Sequence, residues 1–315
     1  MMRTTMMDTE EIKKKWESIS DKSGYIRVDA THKMEWYLGY QDPYNKSLLL
    51  ISNRQPTNIR SSESIEVTCR LRFDNKWTIL FNLTNPKHEE VYELLCIDLI
   101  EYSRNINSNQ DGLEKVLYRY KQWLNLLKAT PSGIMDGSKL KGLFGELLYL
   151  DKQINNINGA LESIQAWMGP EGADQDFFYS TGWAEVKATT VSSNQVSISS
   201  IEQLDNLLPG KLIVYRIDET APNAKDALTI NHLVQNILNK LCLDSSDTFK
   251  DKLLKAGYVY NPGYNAIWYK FNNIPDEYDV VNGFPKITRA SLPVHITEAS
   301  YKLDLASIKA WKVVH

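Results

Sequence analysis

Cysteine is scarce in this sequence: its 315 residues include only Cys69, Cys96 and Cys242. The three are far apart and form no CxxC pair, which argues against a disulfide framework and against a cysteine zinc site. An excess of charge of one sign is also missing, because the formal net charge is -3. Proteins that coat nucleic acid are usually strongly basic, although a local basic groove can lie on a neutral body.

Signals of several other protein classes are absent as well. No stretch approaches the roughly 18 apolar residues of a membrane span, and the N-terminus has no apolar run typical of a signal peptide. We therefore expect no membrane contact and a location in the reducing cytoplasm. The sequence contains no GxxxxGK[ST] loop and no dinucleotide-binding fingerprint, so a nucleotide-driven motor would have to be another chain. The five histidines are scattered without an HxxxH pair.

The first third of the chain has the pattern of a β-rich region. Residues 47–52, 64–73 and 76–83 are rich in β-branched and aromatic residues, which predicts strands. Residues 86–104 carry apolar side chains at helical spacing, and a short helix is predicted over 9–19. The polar stretch 105–112 breaks this pattern. We therefore predict two domains, 1–108 and 109–315.

The remainder of the chain mixes helices and strands. Its predicted elements, in chain order, are helices over 113–128 and 138–155, strands over 176–180, 183–189 and 195–199, a helix near 200–208, a strand over 211–217, and helices over 226–242 and 247–256. This order is typical of an α/β (α+β) core. The composition, 43% hydrophobic and 24% charged, is that of an ordinary globular protein.

A cluster of charged residues follows the predicted helix 138–155. Strand alternation places Glu185 and Lys187 on one face of their strand, together with Trp183. A two-residue loop at Ser180–Thr181 would place Asp176 directly opposite Glu185. A loop at Thr181–Gly182 would instead place Asp176 opposite Lys187 and diagonal to Glu185, and both registers bring the three Cβ atoms within about 5–8 Å.

Two carboxylates and a lysine, such as Asp176, Glu185 and Lys187, suit phosphodiester hydrolysis. Two adjacent carboxylates repel each other unless a cation lies between them, and Mg²⁺ uses one or two carboxylates together with waters and a phosphate oxygen. The metal would lower the pKa of a bound water and neutralise charge on the phosphate. Lys187, two residues beyond a ligand, could orient that water or stabilise the transition state.

This arrangement resembles the PD-(D/E)xK nuclease superfamily, since Glu185-Val186-Lys187 begins nine residues after Asp176. Four further motifs occur in the order found in an uncharacterised branch of that superfamily, whose members lie among bacterial restriction and phage-defence genes. They are GLFGELL at 142–148, WMGP at 167–170, DF at 176–177 and ISSIEQL at 198–204. The resemblance covers residues 138–205. The residue before Asp176 is Gln175, whereas the motif has proline there.

The resemblance implies a restriction-endonuclease-like αβββαβ core, preceded here by the β-rich N-terminal region. It implies that Asp176, Glu185, Glu146 and Val186 hold Mg²⁺, for which Mn²⁺ would substitute. Glu146 lies at the edge of the apolar arc of helix 138–155, which is compatible with that role. Gln203 is implied to act near the scissile phosphate, but its spacing from Ser200 equally fits a helix capping box.

The packing of the loop before Asp176 is the expected role of Trp167 and Pro170. The function implied by the full set is a Mg²⁺-dependent endonuclease that hydrolyses DNA in bacterial restriction or phage defence, with Asp176, Glu185, Lys187, Glu146 and Gln203 as the catalytic residues. A methyltransferase, an ATPase or a helicase could be a partner chain, and a homodimer would supply two sites for two strands. The alternative is a catalytically silent fold that serves as a DNA-binding or assembly module.

Overall fold

The computed structural model describes residue 7 and the ranges 9–19, 22–42, 45–104, 109–129, 134–155, 159–222 and 224–314. The chain divides into two compact units, Met1–Gly133 and Ile134–His315. This division differs from the boundary expected at 108, because helix Asn109–Ala129 belongs to the first unit. Its Arg119 and Trp123 side chains donate hydrogen bonds of 2.7 and 2.6 Å to Asp98 on the preceding helix.

The first unit consists of one antiparallel sheet with helices. In chain order its elements are α1 (Thr9–Glu17), β1 (Gly24–Arg27), β2 (Glu35–Asp42), β3 (Asn45–Ser52), β4 (Ile65–Leu71), β5 (Trp77–Leu83), α2 (Glu89–Tyr102) and α3 (Asn109–Ala129). The strand order across the sheet is β1-β2-β3-β5-β4. One face forms the core of the unit, since its alternate side chains are fully buried: Trp36, Leu38, Leu48, Leu50, Ile79 and Phe81. Strand alternation sends every second side chain of this sheet into that core.

The second unit is a mixed α+β fold. In chain order its elements are α4 (Gly137–Ile154), α5 (Gly159–Ala166), β6 (Phe177–Tyr179), β7 (Gly182–Thr189), β8 (Gln195–Ile198), β9 (Gly210–Thr220), α6 (Ile230–Leu238), α7 (Leu243–Lys255), β10 (Trp268–Phe271), β11 (Asp276–Val280) and β12 (Tyr301–Asp304). Strand β9 is central. It pairs in parallel with β7 along one edge and antiparallel with β11 and β10 along the other.

Both faces of this central sheet are buried, which explains the nearly continuous apolar sequence of β9. On one face, Ala184, Val186 and Ile213 pack with α4 residues such as Leu147. On the other face, Trp183 packs with residues of β8, β9 and β12 in a second core cluster. Helix α4 begins at a capping aspartate, Asp136, whose carboxylate accepts hydrogen bonds from the amides of the first turn. Helix α4 packs directly on β7, because Gly145 of the helix lies against Val186 and Ala188 of the strand.

The predicted α+β class is confirmed, but the helix predicted near 200–208 is wrong. Residues 202–204 form turns, and the carbonyl groups of Glu202 and Leu204 accept from side chains that are distant in sequence. Gln175 Nε2 donates to the Glu202 carbonyl at 2.6 Å, and Lys286 Nζ donates to the Leu204 carbonyl at 2.7 Å. Gln175, which replaces the proline of the motif, therefore connects β6 to this turn.

Strand β8 pairs with β12 in a separate two-stranded sheet. No helix in the part of the chain that the structure describes is both long enough and apolar enough to cross a bilayer.

Candidate active site

The β6–β7 hairpin adopts the first of the two predicted registers. Phe177 pairs with Ala184 and Tyr179 pairs with Gly182, which leaves Ser180 and Thr181 as the two-residue loop. Continued by one residue, this register places Asp176 opposite Glu185. The two-residue turn therefore places the carboxylates of Asp176 and Glu185 next to each other on one face of the hairpin.

Glu185 is almost completely buried, with a relative exposure of 1%. Its Oε1 atom accepts from Lys187 Nζ at 2.7 Å, whereas its Oε2 atom is buried without a hydrogen-bond partner. Burial raises the pKa of Glu185 to about 8, Asp176 adds to the rise, and Lys187 opposes it. A buried carboxylate oxygen without a partner costs free energy unless a cation or a proton satisfies it. The Oε2 atom of Glu185 is thus a buried acceptor that a cation or a proton would satisfy.

Asp176 is held at the start of β6 by both its main chain and its side chain. Its carbonyl accepts from the amides of Met168 and Gly169 at 2.7 and 3.0 Å. Its Oδ2 atom accepts from the Val186 amide at 2.8 Å. Burial raises the pKa of the Asp176 carboxyl, and the Val186 amide and the Lys187 charge oppose that rise. Val186 therefore has a demonstrated contact in the site through its N–H group, which fixes Asp176.

Helix α4 brings Glu146 to Asp176, and Gly169 shows how close the two carboxylates lie. A Cβ atom built on Gly169 would be 3.0 Å from both Glu146 Oε2 and Asp176 Oδ1. The two oxygens therefore lie next to the space that a side chain at position 169 would occupy, and only glycine leaves this space free. Burial raises the pKa of Glu146 well above its ordinary value, and the charge of Asp176 raises it further. This places the predicted helix-borne carboxylate in the same site as Asp176 and Glu185.

Trp167 provides the hydrogen bond that orients Glu146. Its indole Nε1 donates to Glu146 Oε2 at 2.7 Å, and its ring is fully buried against Phe249. Packing was the role expected of Trp167 from the sequence, and this hydrogen bond was not predicted. Lys252 was missed entirely: its Nζ donates to the carbonyls of Gln165 and Trp167 where α5 ends. The WMGP motif was a signal for Trp167, but Lys252 lies in α7 without any recognisable motif.

Gln203 contacts Lys187 and is not part of a capping box, because no helix begins at Ser200. Its Oε1 atom accepts from Lys187 Nζ at 3.0 Å and from the Ser199 amide at 2.8 Å. The second bond fixes the oxygen that receives the lysine. The ammonium group of Lys187, a side chain that is 15% exposed, is therefore held between Glu185 and Gln203.

The oxygen atoms of the site fit a hard divalent ion only in a hydrated form. Within the described ranges, no three or more His, Cys, Asp or Glu side chains form a group that could hold a metal ion by themselves. Mg²⁺ nevertheless needs only one or two carboxylates, because it retains several waters. Asp176 and the unpartnered Oε2 of Glu185 match this requirement. Glu146, which already accepts from Trp167, would add a further oxygen directly or through water.

Comparison with protein families shows which family the chain belongs to. A family described as "Putative PD-(D/E)XK family member, (DUF4420)" matches residues 12–306. The chain belongs to this family. The match extends over both compact units, so the first unit is part of the family pattern as well as the second. Neither the curated proteins nor the solved structures include a match to this chain. The PD-(D/E)XK relationship supports a nuclease and agrees with the resemblance seen in residues 138–205.

Proposed function

We propose that this PD-(D/E)XK protein is a Mg²⁺-dependent endonuclease that hydrolyses DNA phosphodiester bonds, and that it acts in the cytoplasm in bacterial restriction or phage defence. The observation that carries the proposal is the buried Glu185 carboxylate, with one oxygen on Lys187 and the other without a partner. In the proposed site, Glu185 Oε2 would bind the metal ion while Oε1 accepts from Lys187.

The chain supplies the positioning for this chemistry. Asp176 and Glu185 would hold the ion, with Glu146 and the Val186 main chain as further predicted ligands. When bound, a divalent ion lowers the pKa of a coordinated water and neutralises charge on the phosphate. Lys187 is held by Gln203 beside Glu185, so its ammonium group can donate to the attacking water or to a non-bridging phosphate oxygen. Burial strengthens this electrostatic stabilisation because water does not screen it.

DNA is the proposed partner, and a homodimer would present two such sites to the two strands of a duplex. A methyltransferase, an ATPase or a helicase chain remains a proposed companion in a defence system, because this sequence has no nucleotide-binding loop of its own.

The test is plasmid cleavage by the purified chain with Mg²⁺ and with Mn²⁺. Asp176→Ala and Lys187→Ala should abolish cleavage. Asp174→Ala is the matched control, since Asp174 is an exposed aspartate two residues upstream and should leave cleavage intact. Cleavage that continues unchanged in both site variants would refute the site.

A parallel calorimetric titration with Mn²⁺ separates the nuclease from a catalytically silent module. The nuclease should bind the ion, and Asp176→Ala should weaken the binding at least tenfold. A wild-type chain that neither binds Mn²⁺ nor cleaves DNA would support the silent alternative.

A further inference from the structure

The sheet of the first unit has a second face, opposite its buried core. In-register pairing places one residue from each of its five strands in a single row across this face. The row is Arg27, Tyr37, Leu49, Leu80 and Thr68. Residues paired in register project from the same side of a sheet, so these side chains adjoin one another. At the usual strand spacing the row is about 19 Å long.

An aromatic ring enlarges this row at the β1 edge. Tyr25 pairs with Gly39, two residues from Tyr37 on the same strand. A Cβ atom on Gly39 would overlap one edge of the Tyr25 ring, so the ring occupies the space that the glycine leaves free. Tyr25 and Tyr37 are therefore diagonal neighbours, a spacing within reach of aromatic side chains. Together they place two rings side by side on the outer face.

The helices of the unit contact the other face. The Tyr120 ring of α3 packs on Phe81 at 4.9 Å between centroids, and Trp36 Nε1 donates to Ser103 at the end of α2. Phe81 and Trp36 alternate with the outward residues and belong to the buried core. Along the outer row, Tyr37, Leu49 and Leu80 are only half-buried. The outward face of an antiparallel sheet is ordinarily polar. Ser47, Ile51 and Asn82 of this face are buried, so the part of it that a partner can reach is the row of half-buried apolar and aromatic side chains.

The charge at the two edges of this face, on β1 and on β4, indicates the chemistry of that partner. Arg27 at the β1 edge and Arg70 at the β4 edge are exposed, and neither side chain has a hydrogen-bond or ion-pair partner in the described part of the unit. Glu35 on the same face is neutralised by Lys76 at 2.8 Å, which leaves Glu66 as an exposed acid near Arg70. Arginines at both edges and tyrosines between them match the phosphates and bases of a single nucleic-acid strand.

We propose that this outer face, defined by Tyr25, Arg27, Tyr37, Leu49, Leu80 and Arg70, binds single-stranded DNA that crosses the sheet. Bases stack on the two tyrosines and contact the leucines, because every base has a flat face that an aromatic ring can accept. The arginines at the edges contact the phosphates. This binding goes beyond the proposed cleavage, because the outer face belongs to the first unit, whereas Asp176, Glu185 and Lys187 belong to the second.

The test is fluorescence anisotropy of a labelled oligothymidylate of about 12 nucleotides, with the full chain in EDTA so that cleavage cannot occur. Tyr37→Ala should weaken binding about tenfold with an unchanged salt dependence, because it removes a stacking surface but no charge. The double variant Arg27→Gln/Arg70→Gln should weaken binding and lower the slope of log affinity against log salt by about 1.4, since each single-strand phosphate contact contributes about 0.7.

Two control variants carry the same changes on the helix side of the unit. Tyr118→Ala removes a tyrosine of α3 that is 46% exposed, and Arg54→Gln removes an arginine that is paired with Glu114. Both should bind the oligonucleotide like the wild type, and circular dichroism should show all variants folded. Binding that is absent in the wild type, or that is equally strong in all variants, would overturn the proposal.

Lys187→Ala keeps the two proposals distinguishable. If the outer face binds DNA but the chain is not a nuclease, the oligonucleotide binds and no plasmid is cut. If only the nuclease is correct, Lys187→Ala abolishes cleavage while Tyr37→Ala changes neither binding nor cleavage.

Discussion

Lys187 Nζ lies 2.7 Å from Glu185 Oε1, and the two residues belong to the same strand face. Glu185 is 1% exposed, so this lysine is the cation nearest to a carboxylate that solvent hardly reaches. The pair therefore influences both the chemistry of the site and the stability of the fold. Two substitutions separate these roles: Lys187→Ala removes the cation of the pair, and Glu185→Gln replaces the carboxyl group by a neutral amide.

Lys187→Ala should destabilise the metal-free protein by about 1–3 kcal/mol, because it leaves the buried Oε1 atom of Glu185 without the hydrogen bond that Lys187 donates. Glu185→Gln should be as stable as the wild type or about 1 kcal/mol more stable, since a neutral amide replaces a desolvated carboxyl group. Thermal unfolding in EDTA at pH 7 measures both. A Lys187→Ala variant with wild-type stability would contradict the prediction.

Gly169→Ala should damage the site while leaving the fold intact. Its Cβ would be 3.0 Å from Glu146 Oε2 and Asp176 Oδ1, so one carboxylate would have to move by a few tenths of an ångström. We expect Mn²⁺ affinity and cleavage to fall about tenfold or more, because small displacements of catalytic groups are costly.

Gly142→Ala is the control, since a Cβ at this position of α4 would contact nothing within 4 Å. It should raise the free energy of unfolding by about 0.5–1 kcal/mol, the gain expected of alanine within a helix. Equal activity of the two variants would show that the contact at Gly169 is unimportant.

Gln203→Ala should lower kcat about tenfold with little change in KM. The substitution removes the oxygen that receives Lys187 Nζ, and the Ser199 amide loses its acceptor. Gln195→Ala is the matched control, because Gln195 is an exposed glutamine on β8. Steady-state cleavage of a short duplex would separate kcat from KM. A rise in KM with an unchanged kcat would instead place Gln203 in contact with the substrate.

The ion pairs of Glu277 should make the fold sensitive to acid. Burial would raise the pKa of Glu277, but Lys152 at 2.8 Å and Lys211 at 3.3 Å outweigh it and hold that pKa below its usual value. The stabilisation is therefore complete above the unfolded-state pKa and is lost as the pH falls towards the folded-state value.

Glu277→Gln should remove about 1 kcal/mol of stability at pH 7 and flatten the loss below about pH 5. Thermal unfolding between acid and neutral pH would measure both effects. Glu298→Gln, at an exposed position, is the control and should follow the wild-type curve. An identical acid response of wild type and Glu277→Gln would contradict this origin.

The local pattern of the sequence was sufficient for most elements and for the central part of the site. Strand alternation put Glu185 and Lys187 on one face, and helix α4 was predicted within one residue of its observed ends, Gly137–Ile154. These features depend on interactions between residues close in sequence. The helix predicted near 200–208 failed because distant side chains, Gln175 and Lys286, bond the carbonyls that a helix would have used.

The sequence by itself determined which residue types could meet at the site, and the spacing from Asp176 to Lys187 restricted them to two registers. Only the tertiary structure decided between those registers, joined Trp167 to Glu146 across 21 residues, and placed Gln203 on Lys187. It also showed that Gly169 contacts two carboxylates. The physical reason is that burial and long-range packing set the partners of a buried polar group, and no local periodicity encodes them.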